Sequence, residues 1–207
     1  MLQGSIPALV TPFRGGAVDH PALEALVERQ IAAGSEGVVL CGTTGEAPTL
    51  TEEEWSAVIA TGVSAADHRV PVIVGCGSNS TASTIDRVAK VAAHGADMAM
   101  VVTPYYNKPG AAGVAAHFEA VADRSDVPLI IYNIPGRTAT DIDVGTLAQL
   151  ARHRAIVGVK DATGDLARVA RQRLACGETF VQLSGEDPTA VGFNAMGGRG
   201  CISVTAN

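Results

Sequence analysis

The sequence predicts an α/β barrel of eight parallel strands, and three observations lead to this fold class. Eight short apolar runs recur along the 207 residues. These runs do not alternate between apolar and polar residues, so both faces of each strand are expected to be covered. Segments with helical signals separate the runs. The pattern repeats every 20–35 residues, roughly the length of one βαβ step. Eight such steps indicate a (β/α)8 TIM barrel.

A doubly wound open sheet is the alternative fold, but its GxGxxG turn is missing after the first run. The predicted strands cover residues 5–10, 37–41, 70–76, 98–102, 128–132, 155–160, 179–184 and 200–205.

Helix boundaries between these strands carry their own signals. Asp19 is suited to cap the first helix, because its carboxylate can accept from the free N–H groups of the first turn. Thr51 and Glu54 have the spacing of a capping box at the start of the second helix. Glycines are expected to end three of the helices, since this residue tolerates the left-handed backbone of a helix end: Gly34, Gly95 and Gly177.

The composition excludes several classes of protein. A hydrophobic share of 47% and a mean hydropathy of +0.22 are typical of a compact globular chain. The formal net charge is −6 and there is no basic run, which argues against a nucleic-acid partner. No apolar stretch reaches the ~20 residues that span a bilayer. We therefore expect no membrane association and a cytoplasmic protein.

The four cysteines are scattered and show no metal-ligand spacing. Cys41 and Cys76 each end an apolar run, and we expect them to be buried thiols.

Polar residues and glycines follow the predicted strands, where chemistry is located in barrels of this class. They include Thr43 and Thr44 after the second strand, Tyr105 and Tyr106 after the fourth, Tyr132 and Arg137 at and after the fifth, Lys160 and Asp161 at the sixth, and Gly185 after the seventh.

Lys160 ends an apolar strand, and two interpretations are open. In the first, its side chain reaches solvent or pairs with Asp161. In the second, burial lowers the pKa of the amine, and the neutral amine attacks a ketone to form a Schiff base. The second interpretation needs a proton carrier, and the Tyr132 phenol on the adjacent strand is suited to that task. Thr43 could orient the phenol.

The other candidates also have alternatives. Arg137 is either a loop arginine in a surface ion pair or a fork for a substrate carboxylate. The Gly-Thr-rich turn at 42–46 is either a plain connection or a carboxylate-binding turn. Tyr105 and Tyr106 could equally be core or interface aromatics. The glycines at 197–200 occupy the usual phosphate region of such barrels but could simply lead into the last strand.

Six ordered motifs together resemble the dihydrodipicolinate synthase/N-acetylneuraminate lyase family of class I aldolases. They are GTTGE at 42–46, VVTPYYNKP at 101–109, IIYNIPGRT at 130–138, GVKDATGD at 158–165, LSGED at 183–187 and GCISVTAN at 200–207. The resemblance begins with IPALVTPF at 6–13 and so covers essentially the whole chain.

Within this family, Thr43 and Arg137 favour the synthase branch over the sialic-acid lyase branch, which usually has serine at the first position and lacks the arginine. The resemblance implies condensation of pyruvate with L-aspartate 4-semialdehyde, on the route to diaminopimelate and lysine. It also implies that no metal or other cofactor is needed, because the iminium acts as the electron sink.

The resemblance implies a catalytic set. Lys160 would form the Schiff base with pyruvate. Tyr132 would be the general acid and base, in a proton relay with Thr43 and with Tyr106 of a neighbouring subunit. The expected assembly is therefore a homo-oligomer, either a dimer or a tetramer.

The resemblance also implies a substrate-binding set. Thr44 would hold the pyruvate carboxylate, and Arg137 would bind the carboxylate of the semialdehyde. Gly185 and Ile202 would supply backbone contacts around pyruvate.

Two features depart from the family pattern. Family members usually continue past the eighth strand with the last barrel helix and a small helical region, so residues 1–207 are expected to form one barrel domain truncated after that strand. Lysine-inhibited members share Asn79 and Tyr105 with this chain. At four other positions those members usually have a serine, two histidines and a glutamate, whereas this chain has Ala47, Glu52, Trp55 and Ser83. We therefore expect weak or absent lysine inhibition.

Two other functions remain as alternatives. A pyruvate-dependent aldolase for a sugar acid would share Lys160 and Tyr132, but Arg137 argues against it. A catalytically inactive barrel that serves as a partner subunit would have no need of these three side chains or of Thr43.

Overall fold

A computed structural model describes residues 2–207 and shows eight parallel strands arranged around a barrel. In chain order the barrel strands are β1 (Gly4–Pro7), β4 (Val38–Leu40), β5 (Val72–Gly75), β6 (Met98–Val102), β7 (Leu129–Asn133), β8 (Ile156–Asp161), β9 (Val181–Ser184) and β10 (Gly200–Ser203). Two short strands outside the barrel, β2 (Phe13–Arg14) and β3 (Ala17–Val18), lie between β1 and β4 in the sequence. The sheet runs β1-β10-β9-β8-β7-β6-β5-β4. A parallel bridge between Ala8 and Val39 joins its two edges, so the predicted barrel is confirmed.

All eight predicted strands are present, most of them shorter than predicted. The small antiparallel hairpin formed by β2 and β3 was not predicted, because each of its strands has only two residues.

Helices alternate with the barrel strands. They are α1 (His20–Ala32), α2 (Glu52–Ala66), α3 (Thr81–Ala93), α4 (Ala111–Ala122), α5 (Pro135–Thr138), α6 (Val144–Leu150), α7 (Ala167–Cys176) and α8 (Ala190–Ala195), with 3-10 turns at Ala47–Thr49 and Asp187–Thr189. In residues 2–207 no helix follows β10. The last residues turn back instead, and the Asn207 side chain bonds to the backbone of Ala8 and Val10.

The predicted helix ends are confirmed. The Asp19 carboxylate accepts from the backbone N–H of Ala22 at 3.1 Å. Thr51 and Glu54 form the reciprocal capping box of α2. The three terminal glycines have positive φ angles, which is the conformation that favours glycine at a helix end.

Two apolar cores hold the barrel together. The larger core lies between the strands and the surrounding helices and includes Cys41 and Cys76, which are buried as predicted. The smaller core fills the barrel interior with side chains such as Ile73, Ile130 and Leu183. The interior is therefore packed, and the space for a ligand is at the strand ends.

An irregularity in β8 determines which side chains point inward. Leu129 of β7 pairs with Ile156, but the next residue, Ile130, pairs with Gly158, so Val157 is an extra residue in β8. Such a bulge reverses the inward and outward alternation beyond it. As a result Lys160 lies opposite Tyr132, on the barrel-interior side of the strand.

Among residues 2–207, no helix combines the length and the apolar character that crossing a membrane requires.

Candidate active site

Lys160 lies at the C-terminal end of β8 and is only 5% exposed. Its Nζ is 4.1 Å from the centre of the Tyr132 ring. Burial lowers the pKa of the amine from 10.5 to about 8, because the charged form loses its hydration. In the described part of the chain, no carboxylate forms an ion pair with this amine. The alternative of a solvated lysine or a Lys160–Asp161 pair is therefore wrong, and Asp161 instead lies 3.4 Å from Arg168.

Tyr132 is the side chain in contact with this amine. It is also buried, and burial raises the pKa of its phenol, while interaction with the Thr43 side chain and the charge of Arg137 act in the opposite direction. The net shift is upward, so the phenol is protonated at neutral pH. A protonated phenol beside a partly neutral amine can donate a proton and take it back.

A cavity of about 710 Å³ opens beside Tyr132 at the C-terminal ends of β4 to β7. Four of the predicted site residues line it: Thr43, Tyr106, Tyr132 and Arg137. Lys160 is not among the lining residues, but its amine contacts the Tyr132 ring, which does line the cavity. The Arg137 side chain is exposed at this cavity, where it can meet an anionic group of a ligand.

Tyr106 has an unusual setting for an aromatic residue. It is 89% exposed, and its backbone is left-handed with φ of 69°. Lys108, two residues on, also has a positive φ. The interpretation of Tyr106 as a core residue is therefore wrong, and its ring is free to contact another molecule.

The remaining predicted residues lie around the same end of the barrel. Gly185 is packed against Lys160: a Cβ at this glycine would be 3.0 Å from the lysine Cε. Ile202 belongs to the interior core with Tyr132. Thr44 is half-buried in the loop after β4 and is not among the residues that line the cavity.

Tyr105, which the sequence also indicated, lines the cavity as well, but the sequence did not indicate the apolar part of the wall. Apolar side chains close it from inside the barrel, among them Met100, Val102 and Ile134. Arg87 of α3 lines it as well. Met100 and Val102 lie on a predicted strand, but apolar residues at a strand end cannot be distinguished from core residues in the sequence.

A buried amine with a lowered pKa, beside a phenol at the mouth of a parallel barrel, defines a class of protein. This is the arrangement of a Schiff-base (class I) aldolase, in which a lysine attacks a carbonyl and a nearby acid moves the protons.

Comparisons with known proteins identify the family. The model of the dihydrodipicolinate synthetase family matches residues 1–207, so the chain belongs to this family.

Individual relatives agree with this assignment. The chain is 59% identical over 207 residues to a 4-hydroxy-tetrahydrodipicolinate synthase of Ruegeria pomeroyi, covering all of this chain and 71% of that protein.

Solved structures give the same result. A 4-hydroxy-tetrahydrodipicolinate synthase from Methylacidiphilum fumariolicum SolV is similar at a TM-score of 0.98 and 38% identity, over 100% of this chain and 69% of that one. A dihydrodipicolinate synthase from Acinetobacter baumannii, solved in complex with pyruvate, gives 0.97 and 45%, over 100% and 71%.

Proposed function

We propose that this chain condenses pyruvate with L-aspartate 4-semialdehyde to give 4-hydroxy-tetrahydrodipicolinate, a lyase-class reaction on the route to diaminopimelate and lysine. The observation that carries the proposal is the buried Lys160 amine, whose pKa is lowered to about 8 and which lies against the Tyr132 ring. The names of the relatives support the choice of reaction.

Lys160 is the nucleophile in this proposal. Its neutral amine adds to the ketone of pyruvate, and loss of water from the adduct leaves an iminium. The iminium withdraws electrons, so a proton is lost from the methyl carbon and an enamine forms. The enamine carbon then attacks the aldehyde of the second substrate and forms the new C–C bond, while the aldehyde oxygen takes up a proton. The amino group of the second substrate then adds to the iminium carbon, which closes the ring and releases the Lys160 amine. Because the iminium is the electron sink, the reaction needs no metal or other cofactor.

Tyr132 moves the protons of these steps. Its protonated phenol donates to the departing hydroxyl when water is lost. Thr43, which lines the cavity with Tyr132 and whose side chain interacts with its phenol, is the next member of the proton relay. Tyr106 of a neighbouring subunit completes the relay, in keeping with the exposure of this ring.

The second substrate is selected by its carboxylate. Arg137 is exposed on the cavity wall, and a guanidinium binds a carboxylate through two parallel hydrogen bonds. Thr44 holds the pyruvate carboxylate, and Gly185 and Ile202 surround pyruvate with their backbone. The role of Arg137 also distinguishes this reaction from that of a sugar-acid aldolase, whose aldehyde substrate has no carboxylate at this position.

The proposal includes an assembly and a location. Residues 1–207 act as one barrel domain in a cytoplasmic homo-oligomer, a dimer or a tetramer, because the relay takes one residue from another copy.

Replacement of Lys160 tests the function. We expect Lys160→Ala to reduce condensation of pyruvate with the semialdehyde to the background rate, since no other group forms the iminium. Lys90→Ala is the matched control, because this lysine is exposed on α3 and pairs with Glu52. Retained condensation in Lys160→Ala, or an equal loss in the control, would contradict the proposal.

A further inference from the structure

The loop that carries Arg137 is closed at its base by side chains. We define the Arg137 loop as residues 134–142, between β7 and α6. Asn133 lies just before it and is 1% exposed. Its Nδ2 donates to Asp141 Oδ1 at 2.7 Å, and its Oδ1 accepts from the Ile142 N–H at 3.2 Å. One buried amide therefore joins the two ends of the loop.

Two threonines fix the interior of the Arg137 loop. The Thr138 hydroxyl donates to the carbonyl of Thr140, and the Thr140 hydroxyl donates to that of Pro104 at 3.0 Å. Both side chains are buried. The loop is therefore a rigid support, and the direction of Arg137 depends on how its base is held.

Arg168 of α7 connects this base to the strand end that carries Lys160. Its Nη1 donates to both carboxylate oxygens of Asp141, at 3.1 and 2.8 Å, and its Nη2 donates to the Ile142 carbonyl. Its Nε lies 3.4 Å from Asp161, the residue after Lys160. Arg168 is only 9% exposed, so this bridge is largely shielded from solvent.

The geometry points to Arg168 and Asp141 as positioning residues, which hold the Arg137 loop at a set distance from Lys160 and so place the carboxylate of the second substrate. This inference rests on the proposed function of Lys160 and Arg137. Neither Arg168 nor Asp141 lines the cavity, so they act through Arg137.

The inference predicts a selective kinetic effect. Pyruvate reacts at Lys160 before the second substrate is needed, so a displaced Arg137 loop leaves the first step intact. A displacement of about 1 Å can cost ~100-fold in rate. Binding of the carboxylate also weakens when Arg137 is displaced, because the two parallel hydrogen bonds to a carboxylate depend on geometry. We therefore expect Asp141→Asn to raise the KM for the semialdehyde about tenfold, with little change in the rate at which borohydride traps pyruvate on Lys160.

Asp141→Asn is the first variant to use because the Asp141 side chain is 46% exposed and the buried Arg168 keeps Asp161 as a charge partner at 3.4 Å. A second pair tests Arg168 itself. Arg168→Lys retains a cation that can reach Asp141, so it should raise the KM for the semialdehyde less than Arg168→Gln does. Arg171→Gln is the matched control, since this arginine lies on the same helix and forms an exposed pair with Asp165.

The outcomes separate this inference from the proposed function. If wild type does not trap pyruvate, the proposed function fails, and this inference fails with it. If wild type traps pyruvate but Asp141→Asn matches Arg171→Gln in the KM for the semialdehyde, only the inference is overturned. An equal loss of trapping and of semialdehyde affinity would also overturn it, because that result indicates a general structural role.

Discussion

At the scale of single residues, the reactivity of Lys160 and its cost to stability have the same cause. Burial removes water from the amine and lowers its pKa to about 8, which favours the nucleophilic neutral form. Nearby Asp187 and Cys201 act in the opposite direction and keep the shift moderate. With such a pKa, a substantial fraction of the molecules carry a neutral amine near physiological pH. A surface lysine, by contrast, is almost entirely protonated there.

This pKa gives an expected pH dependence. The initial rate of pyruvate trapping by borohydride, at saturating reductant, should rise with pH and level off above about 8, because only the neutral amine attacks. A rate that keeps rising towards pH 10 would show an amine with the pKa of an exposed lysine.

The same shift changes stability. Between pH 8 and 10.5 the unfolded chain keeps a proton on Lys160 that the folded chain has released, so the free energy of unfolding should rise with pH across this window. At pH 7 the lowered pKa reduces the free energy of unfolding by an amount of the order of 3 kcal/mol. Lys160→Met should therefore raise the free energy of unfolding at pH 7 by about 1–3 kcal/mol, measured by urea denaturation. A destabilised variant would contradict this reading of the pKa.

At the scale of elements, the sequence predicted the strands and helix ends well, because these depend on local signals. The capping box of Thr51 and Glu54 and the glycine at the end of α7, Gly177, follow from neighbouring residues alone. The orientation of Lys160 does not, since it depends on the extra residue Val157 in β8. The pairing of two strands that lie far apart in sequence decides that bulge. Family resemblance indicated the lysine, but only the structure shows why it points inward.

Gly185, just after β9, offers a test of how closely Lys160 is packed. A methyl group here would lie 3.0 Å from Lys160 Cε and 2.9 Å from Ala162 Cβ. Gly185→Ala should therefore displace the amine and slow pyruvate trapping about tenfold.

Gly110→Ala is the control for this variant, because a methyl group there meets no atom within 4 Å. Equal trapping rates in the two variants would show that the lysine adjusts without loss.

At the scale of the whole molecule, the site combines residues from distant parts of the chain. Sequence patterns indicated Thr43, Tyr132 and Lys160, which lie at or just after the ends of predicted strands. They gave no sign of Arg168, because a buried arginine in a helix has the same local pattern as an exposed one. Its role depends on contacts with Asp141 and Asp161, which only the folded barrel brings together.

Regulation by lysine is also a property of the whole molecule, and weak or absent inhibition remains our prediction. The Glu52 carboxylate is bound by Arg87 at 2.8 Å and by Lys90 at 2.9 Å. Trp55 is buried, with Arg87 5.7 Å from its ring centre. Arg87 lines the cavity, where its positive charge opposes binding of the lysine cation. Condensation assays at increasing lysine should show little change, and strong inhibition by micromolar lysine would contradict this.

The central claim is that Lys160 is the residue that forms a Schiff base with pyruvate. The most direct measurement is to incubate the folded protein with pyruvate and borohydride and to locate the adduct by intact and peptide mass spectrometry. The chain has three lysines, Lys90, Lys108 and Lys160, so the modified peptide identifies the residue. We expect one reduced pyruvyl group, on Lys160. No adduct on the folded protein, or an adduct on either of the other two lysines, would contradict the account.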